Sequence, residues 1–222
     1  MSTVSDFYGR WAALYDRIAT APGVARWRRA AVARVARPGD TVVEMGCGSG
    51  ANLPYLCERV GADGRVIGVD ITGPLLERAE TRIAGYDNAA VVRADATRPP
   101  VDDVDAILAT FVCGMFEAPE AVVGDWCELV GSGGRIALMD ATATERPWAA
   151  PLNPLFRAFT AASAPTAGVR DVVRAPMPQS GADALLSRRV DASRETLAQR
   201  TTNRRYDEFA FGFVGLLSGT VR

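Results

Sequence analysis

Apolar residues fall at helical spacing near the start of the chain. Phe7, Trp11, Leu14, Tyr15 and Ile18 share one helical face, and Val24, Trp27, Ala31 and Val35 repeat the pattern after Pro22-Gly23 breaks the run, which predicts two leading helices. The period then shortens to that of strands. Residues 41–45, 65–70 and 89–93 read as strands, with helices over about 51–60 and 73–84 between them, the second opened by Pro74 in its first turn. Residues 104–110 are almost continuously apolar, as a central strand buried on both faces requires; a helix over 119–130 and the glycine-rich turn at 131–134 then lead to a fifth strand at 135–139. Five such repeats predict an α/β fold, a doubly wound, mostly parallel, Rossmann-like sheet with helices on both faces. The end breaks the repeat. Residues 200–211 and 212–221 are extended and punctuated by glycine, close enough to pair as an antiparallel hairpin that brings the sheet to seven strands.

A single α/β domain absorbs all 222 residues without a linker, and the boundary that does appear is a mild one near Glu145, where regular alternation gives way to a Pro- and Ala-rich stretch. The expected plan is leading helices at 1–37, a core at 38–140, an insert at 145–180, and a last helix with the hairpin at 181–222. The formal net charge of -1 supplies no global field to draw nucleic acid or an anionic bilayer. Cys47, Cys57, Cys113 and Cys127 form no C-x-x-C pair, and with no histidine in the chain a zinc site lacks its commonest nitrogen ligand, so reduced thiols and no metal are expected. No run reaches membrane-spanning length and the opening has no signal-peptide core, so a cytoplasmic protein without an integral membrane segment is expected. Oligomeric state is left open.

The chemistry concentrates where the first strand ends, in Glu44-Met45-Gly46-Cys47-Gly48-Ser49-Gly50. Alternate glycines admit positive φ and bring a ligand against bare main chain, while the helix that follows aims free N–H groups at it. Gly46, Gly48 and Ala51 also fit the spacing of a dinucleotide site, so an NAD(P)-dependent oxidoreductase is one alternative. Glu44 separates the two readings. Two residues before the first glycine, it would repel a pyrophosphate and attract an ammonium or a sulfonium, and S-adenosylmethionine (AdoMet) carries both.

At these residues the chain resembles the class I AdoMet-dependent methyltransferases, whose first motif is a hydrophobic strand, an acidic residue and G-x-G-x-G. Two later landmarks follow in order: Arg65–Asp70, a strand ending in an acid, and Val91–Ala96, a strand running into Asp-Ala. The resemblance implies AdoMet as cofactor, with S-adenosylhomocysteine as product. It places the cofactor's amino-acid part near Glu44 and the loop of Gly46, Cys47, Gly48 and Gly50, its ribose at Asp70 and its adenine at Asp95 and Ala96, with Thr110 and Phe111 on the cofactor side of the loop after the fourth strand and Asn52 and Ile71 also in the cofactor set. The segment Tyr8-Gly9-Arg10-Trp11-Ala12-Ala13-Leu14-Tyr15-Asp16 is similar to the Y-x-x-x-A-x-x-Y-D opening of small-molecule methyltransferases related to ubiquinone and menaquinone biosynthesis. In those relatives the leading helix lies over the cofactor mouth, which makes Tyr8 and Tyr15 candidate contacts; packing of these aromatics on the sheet edge is the alternative.

Methyl transfer from a sulfonium is a displacement that needs alignment, worth about 7–11 kcal/mol, more than it needs a catalytic side chain. No catalytic residue is assigned. With histidine and lysine both absent, the groups near the strand ends that could take a proton are Asp16, Asp140, Glu117, Tyr8, Tyr15 and Cys113. The insert carries Trp148, Leu152, Leu155, Phe156 and Phe159, punctuated by Pro147, Pro151, Pro154 and Pro165. A short apolar helix there would cap the cleft for a small, hydrophobic or lipid-like acceptor, with peripheral membrane contact, or would simply roof the core. A catalytically inactive AdoMet-binding protein is the remaining alternative, set against the intact set Glu44, Gly46, Gly48, Gly50, Asp70 and Asp95.

Overall fold

The structure is a computed structural model that describes residues 22–162 and 181–222. Helix α1 (Pro22–Val35) precedes β1 (Thr41–Met45), and three crossovers follow: α2 (Leu53–Val60) to β2 (Arg65–Asp70), α3 (Gly73–Ile83) to β3 (Ala89–Arg93), then the chain crosses back to β4 (Ala106–Thr110). Helix α4 (Pro119–Val130) leads to β5 (Arg135–Ala141), and α5 (Asn153–Ala162) and α6 (Gly181–Arg200) precede β6 (Thr201–Phe209) and β7 (Val214–Val221). The predicted strands and the second leading helix are present. The first leading helix, with Tyr8, Tyr15 and Asp16, lies outside the described residues, as does Pro165.

Two boundaries moved for local reasons. Strand β4 begins at Ala106, two positions later than the apolar run, because Asp105 turns its carboxylate back to accept the Thr41 N–H at 2.8 Å at the foot of the sheet. Helix α2 begins at Leu53 because Gly50, at φ 74°, is still in the turn and Asn52 spends its side chain elsewhere than on a cap.

The seven strands run in the order β3-β2-β1-β4-β5-β7-β6. The first five are parallel, and β7 lies antiparallel between β5 and β6. Every residue of β4 is buried, as helices on both faces require. One face packs Ala31 and Val35 of α1, Leu56 of α2 and Ala79 of α3 against Val42, Leu108 and Met139. The other packs Val123 and Trp126 of α4 and Leu197 of α6 against Val43, Ile107 and Leu138. At the foot, Arg135 donates to Asp40 at 2.6 Å and to the Val35 carbonyl at 2.9 Å, tying β5 to the end of α1.

Candidate active site

The strand order reverses between β1 and β4, and in an open parallel sheet the crevice beyond the carboxyl ends at such a point is where ligands bind. The glycine loop leaves β1 there. Cys47 donates its N–H to Val69 at 3.0 Å, and Gly48 donates to Asp70 Oδ2 at 2.9 Å, which folds the loop onto the end of β2. Gly46 and Gly50 are glycine for lack of room: a Cβ would stand 2.7 Å from Val112 and 2.9 Å from Ala79 respectively. Gly48 differs. Its φ is +54°, and among the described residues no atom beyond its chain neighbours lies within 4 Å of where a Cβ would stand, so its bare backbone faces a space those residues do not fill.

Glu44, four residues before Gly48 and near the end of β1, is 1% exposed. Its Oε1 accepts from the Asn52 side-chain amide and, at 3.4 Å, from the Thr110 hydroxyl; the same amide donates to Thr110 at 3.1 Å. Asn52 in turn accepts from Arg28 at 2.8 Å. Glu44 Oε2 is buried with no hydrogen-bond partner among the described residues. Burial pushes the Glu44 carboxyl up to about 7, against the stabilising Asn52, Arg28 and Thr110. A buried carboxylate oxygen without a donor is costly, and a cation at that position would remove the cost.

The other expected contacts occupy the same edge of the sheet. Asp70 accepts two backbone N–H groups, Gly48 and, at 2.8 Å, Thr72, while Ile71 beside it is 64% exposed. Asp95 is exposed and accepts the Thr97 N–H at 2.9 Å; Ala96 is buried, its carbonyl taken by the Trp126 indole at 2.9 Å. Phe111 follows Thr110 at φ +59°, a left-handed conformation costly for a bulky residue, held by its N–H to Met139 at 2.7 Å. Cys47 contributes main chain only, since its thiol packs into the core where Gly68 leaves room.

Of the groups considered for proton transfer, Glu117 is exposed, whereas Cys113 and Asp140 are sealed on the opposite face from Glu44, among Ser193 and Arg194 of α6. Burial raises Asp140 to about 6 and the Cys113 thiol well above its usual value. The insert does form a helix, α5. Phe156 tilts over Phe213 at 5.0 Å and Trp148 meets Phe211 edge-on at 5.4 Å, so this segment leans on the turn between β6 and β7. Trp148, Leu155 and Phe211 are each at least 60% exposed, and Leu152 is exposed too. The Phe159 side chain lies outside the described set. Arg28 carried no assignment from sequence, although its place on the stripe of Val24, Val32 and Val35 marked it as a charge among core positions.

A family described as a methyltransferase domain matches residues 42–134. Among curated proteins, an arsenite methyltransferase of Halobacterium salinarum is 31% identical over 48% of this chain, and a 2-phytyl-1,4-naphtoquinone methyltransferase of Nostoc punctiforme is 30% identical over 70% of it. The chain spans 28% of the length of the first and 69% of the second. Among solved structures, magnesium protoporphyrin IX methyltransferase from Synechocystis PCC 6803, with bound S-adenosylhomocysteine, superposes with a TM-score of 0.66 at 16% identity, covering 99% of this chain and 97% of its own.

Proposed function

The chain belongs to the class I AdoMet-dependent methyltransferases, and from that premise we propose that it transfers the methyl group of AdoMet to a small, hydrophobic or lipid-like acceptor. The observation that carries the cofactor assignment is the buried Oε2 of Glu44, without a hydrogen-bond partner among the described residues, at the end of the strand that leads into the open glycine loop. When bound, AdoMet supplies an electrophilic methyl carbon on a cationic sulfur. Glu44 would take the ammonium of the amino-acid part, the loop from Gly46 to Gly50 would receive that part against its main chain, and Asp70 and Asp95 would accept from the ribose hydroxyls and the adenine amino group respectively. Thr110 fixes Glu44 from β4, and Phe111, partly buried and in a strained backbone conformation, would border the path between donor and acceptor. No side chain is assigned as base, so alignment is the chief contribution of the protein.

The acceptor class rests on the exposed apolar side chains of Trp148, Leu152, Leu155 and Phe211, which stand at the carboxyl edge of the sheet with the glycine loop. Among the described residues no helix is long and apolar enough to cross a membrane, and a lipid-like acceptor would be met at a surface. The four free, buried cysteines suit the reducing cytoplasm. Calorimetry with AdoMet and with NADH tests the first step: AdoMet alone should bind, and NADH binding in its place refutes the assignment. Incubation with quinols, small phenols and phosphatidylethanolamine, read as S-adenosylhomocysteine released, tests the second. Turnover confined to polar, water-soluble acceptors refutes the acceptor class, and AdoMet binding without turnover of any acceptor refutes catalysis.

A further inference from the structure

Arg28 is 5% exposed on a helix whose neighbouring stripe positions are valines, a site where a guanidinium gains little from packing alone. Its Nη1 donates to Asn52 Oδ1 at 2.8 Å. An amide whose oxygen is held by a guanidinium must turn its NH2 the other way. Here the NH2 meets Glu44 Oε1 and Thr110, which leaves Oε2 as the carboxylate oxygen without a donor. With the amide reversed, its oxygen would face Glu44 and repel it.

We propose that Arg28 is a positioning residue for the amino-acid half of the cofactor: by fixing the Asn52 amide, it keeps Glu44 ionised with Oε2 left for the ligand's ammonium. This rests on the assignment of Glu44 made under the proposed function. Among the described residues, the titratable groups facing Glu44 are Arg28 from α1, which favours the carboxylate, and Asp70 and the Cys47 thiol, which do not. Arg28 therefore opposes both burial and Asp70. A helix that precedes the glycine loop in sequence thus sets the charge state at its far side.

The test measures S-adenosylhomocysteine affinity between about pH 6 and pH 9 for the whole chain and for R28M, R28K, N52A and E44Q, with methylthioadenosine, which lacks the amino-acid part, as the second ligand. Native affinity should rise with pH about a midpoint near 7. R28M and N52A should each move the midpoint up by about one unit, a roughly fivefold loss at pH 7 that narrows by pH 9, with methylthioadenosine affinity changed less than about twofold. R28K should lie closer to the native protein. An unmoved midpoint in R28M and N52A, or equal losses for both ligands at every pH, overturns the role of Arg28. Should R28M not fold, N52A and R28K decide the matter on the same midpoint. If E44Q binds S-adenosylhomocysteine like the native protein, the Glu44 assignment falls and this inference with it; selective loss in E44Q beside an unmoved R28M overturns the inference alone.

Discussion

Glu44→Gln should stabilise the ligand-free protein, and the size of the gain follows from the burial of the carboxyl. The unfolded chain ionises this group at 4.5, the folded protein at about 7. Between these values the folded state binds a proton that the unfolded state has lost, so Glu44 contributes most favourably below 4.5 and its contribution is lost as pH rises to about 7. At about 1.36 kcal/mol per unit, holding the bare carboxylate at pH 8 costs about 3 kcal/mol, against under about 1 kcal/mol at pH 5. Glutamine keeps an oxygen to accept from Asn52 and Thr110 and carries no charge. Urea melts of ligand-free protein should show E44Q more stable by about 3 kcal/mol at pH 8, or about 6–12 °C in Tm, with most of the difference gone at pH 5. Saturating S-adenosylhomocysteine should reverse the order at pH 8, since only the native protein gains from tight binding. A variant less stable than the native protein at pH 8, or equally stabilised at both pH values, refutes the picture of a carboxylate held for a cation.

Gly48→Ala should leave the fold intact apart from about 1 kcal/mol of strain at φ +54° yet lower cofactor affinity more than about tenfold, whereas Gly46→Ala, whose Cβ would crowd Val112, should lower the melting temperature itself; melts beside calorimetry separate the two. Asp70→Asn should weaken AdoMet binding by about 1–3 kcal/mol, measured calorimetrically on folded protein, and unchanged affinity would remove Asp70 from the ribose site. Leu155→Ser should leave melting temperature and AdoMet affinity alone while lowering kcat/KM for an apolar acceptor, because Leu155 is 71% exposed. Phe156→Ser, by contrast, should destabilise, since Phe156 packs on Phe213.

What could be read in the chain before folding was whatever local chemistry decides. Strands 41–45 and 65–70 declare themselves because a parallel sheet covered on both faces needs unbroken apolar runs, and the glycines declare the turn because only they fit it. The proposed cofactor set could be picked out for the same reason: Glu44, Gly48 and Asp70 sit at the ends of those runs. The seating of the hairpin was not legible. The extended, glycine-punctuated run at 212–221 suggests a strand but not that β5 would be its neighbour. Arg28 escaped because its partner, Asn52, lies 24 residues away and only the crossing of α1 over the glycine loop brings them together. The insert's apolar residues were plain in sequence, but their partners Phe211 and Phe213 belong to a turn about 60 residues later, a pairing that only tertiary structure reveals.

The placement of β7 between β5 and β6 has a consequence for the order of assembly. β6 is made before β7, yet among the described strands its only neighbour is β7, so when β6 leaves the ribosome none of them offers it an edge to join. Until residues 214–221 follow it, β5 presents an open edge to any other chain and β6 carries unpaired backbone of its own. Both hazards end together when β7 inserts, a late, long-range step that closes contacts on two sides at once. Slow folding, and aggregation of chains interrupted before Val214, should trace to that single strand.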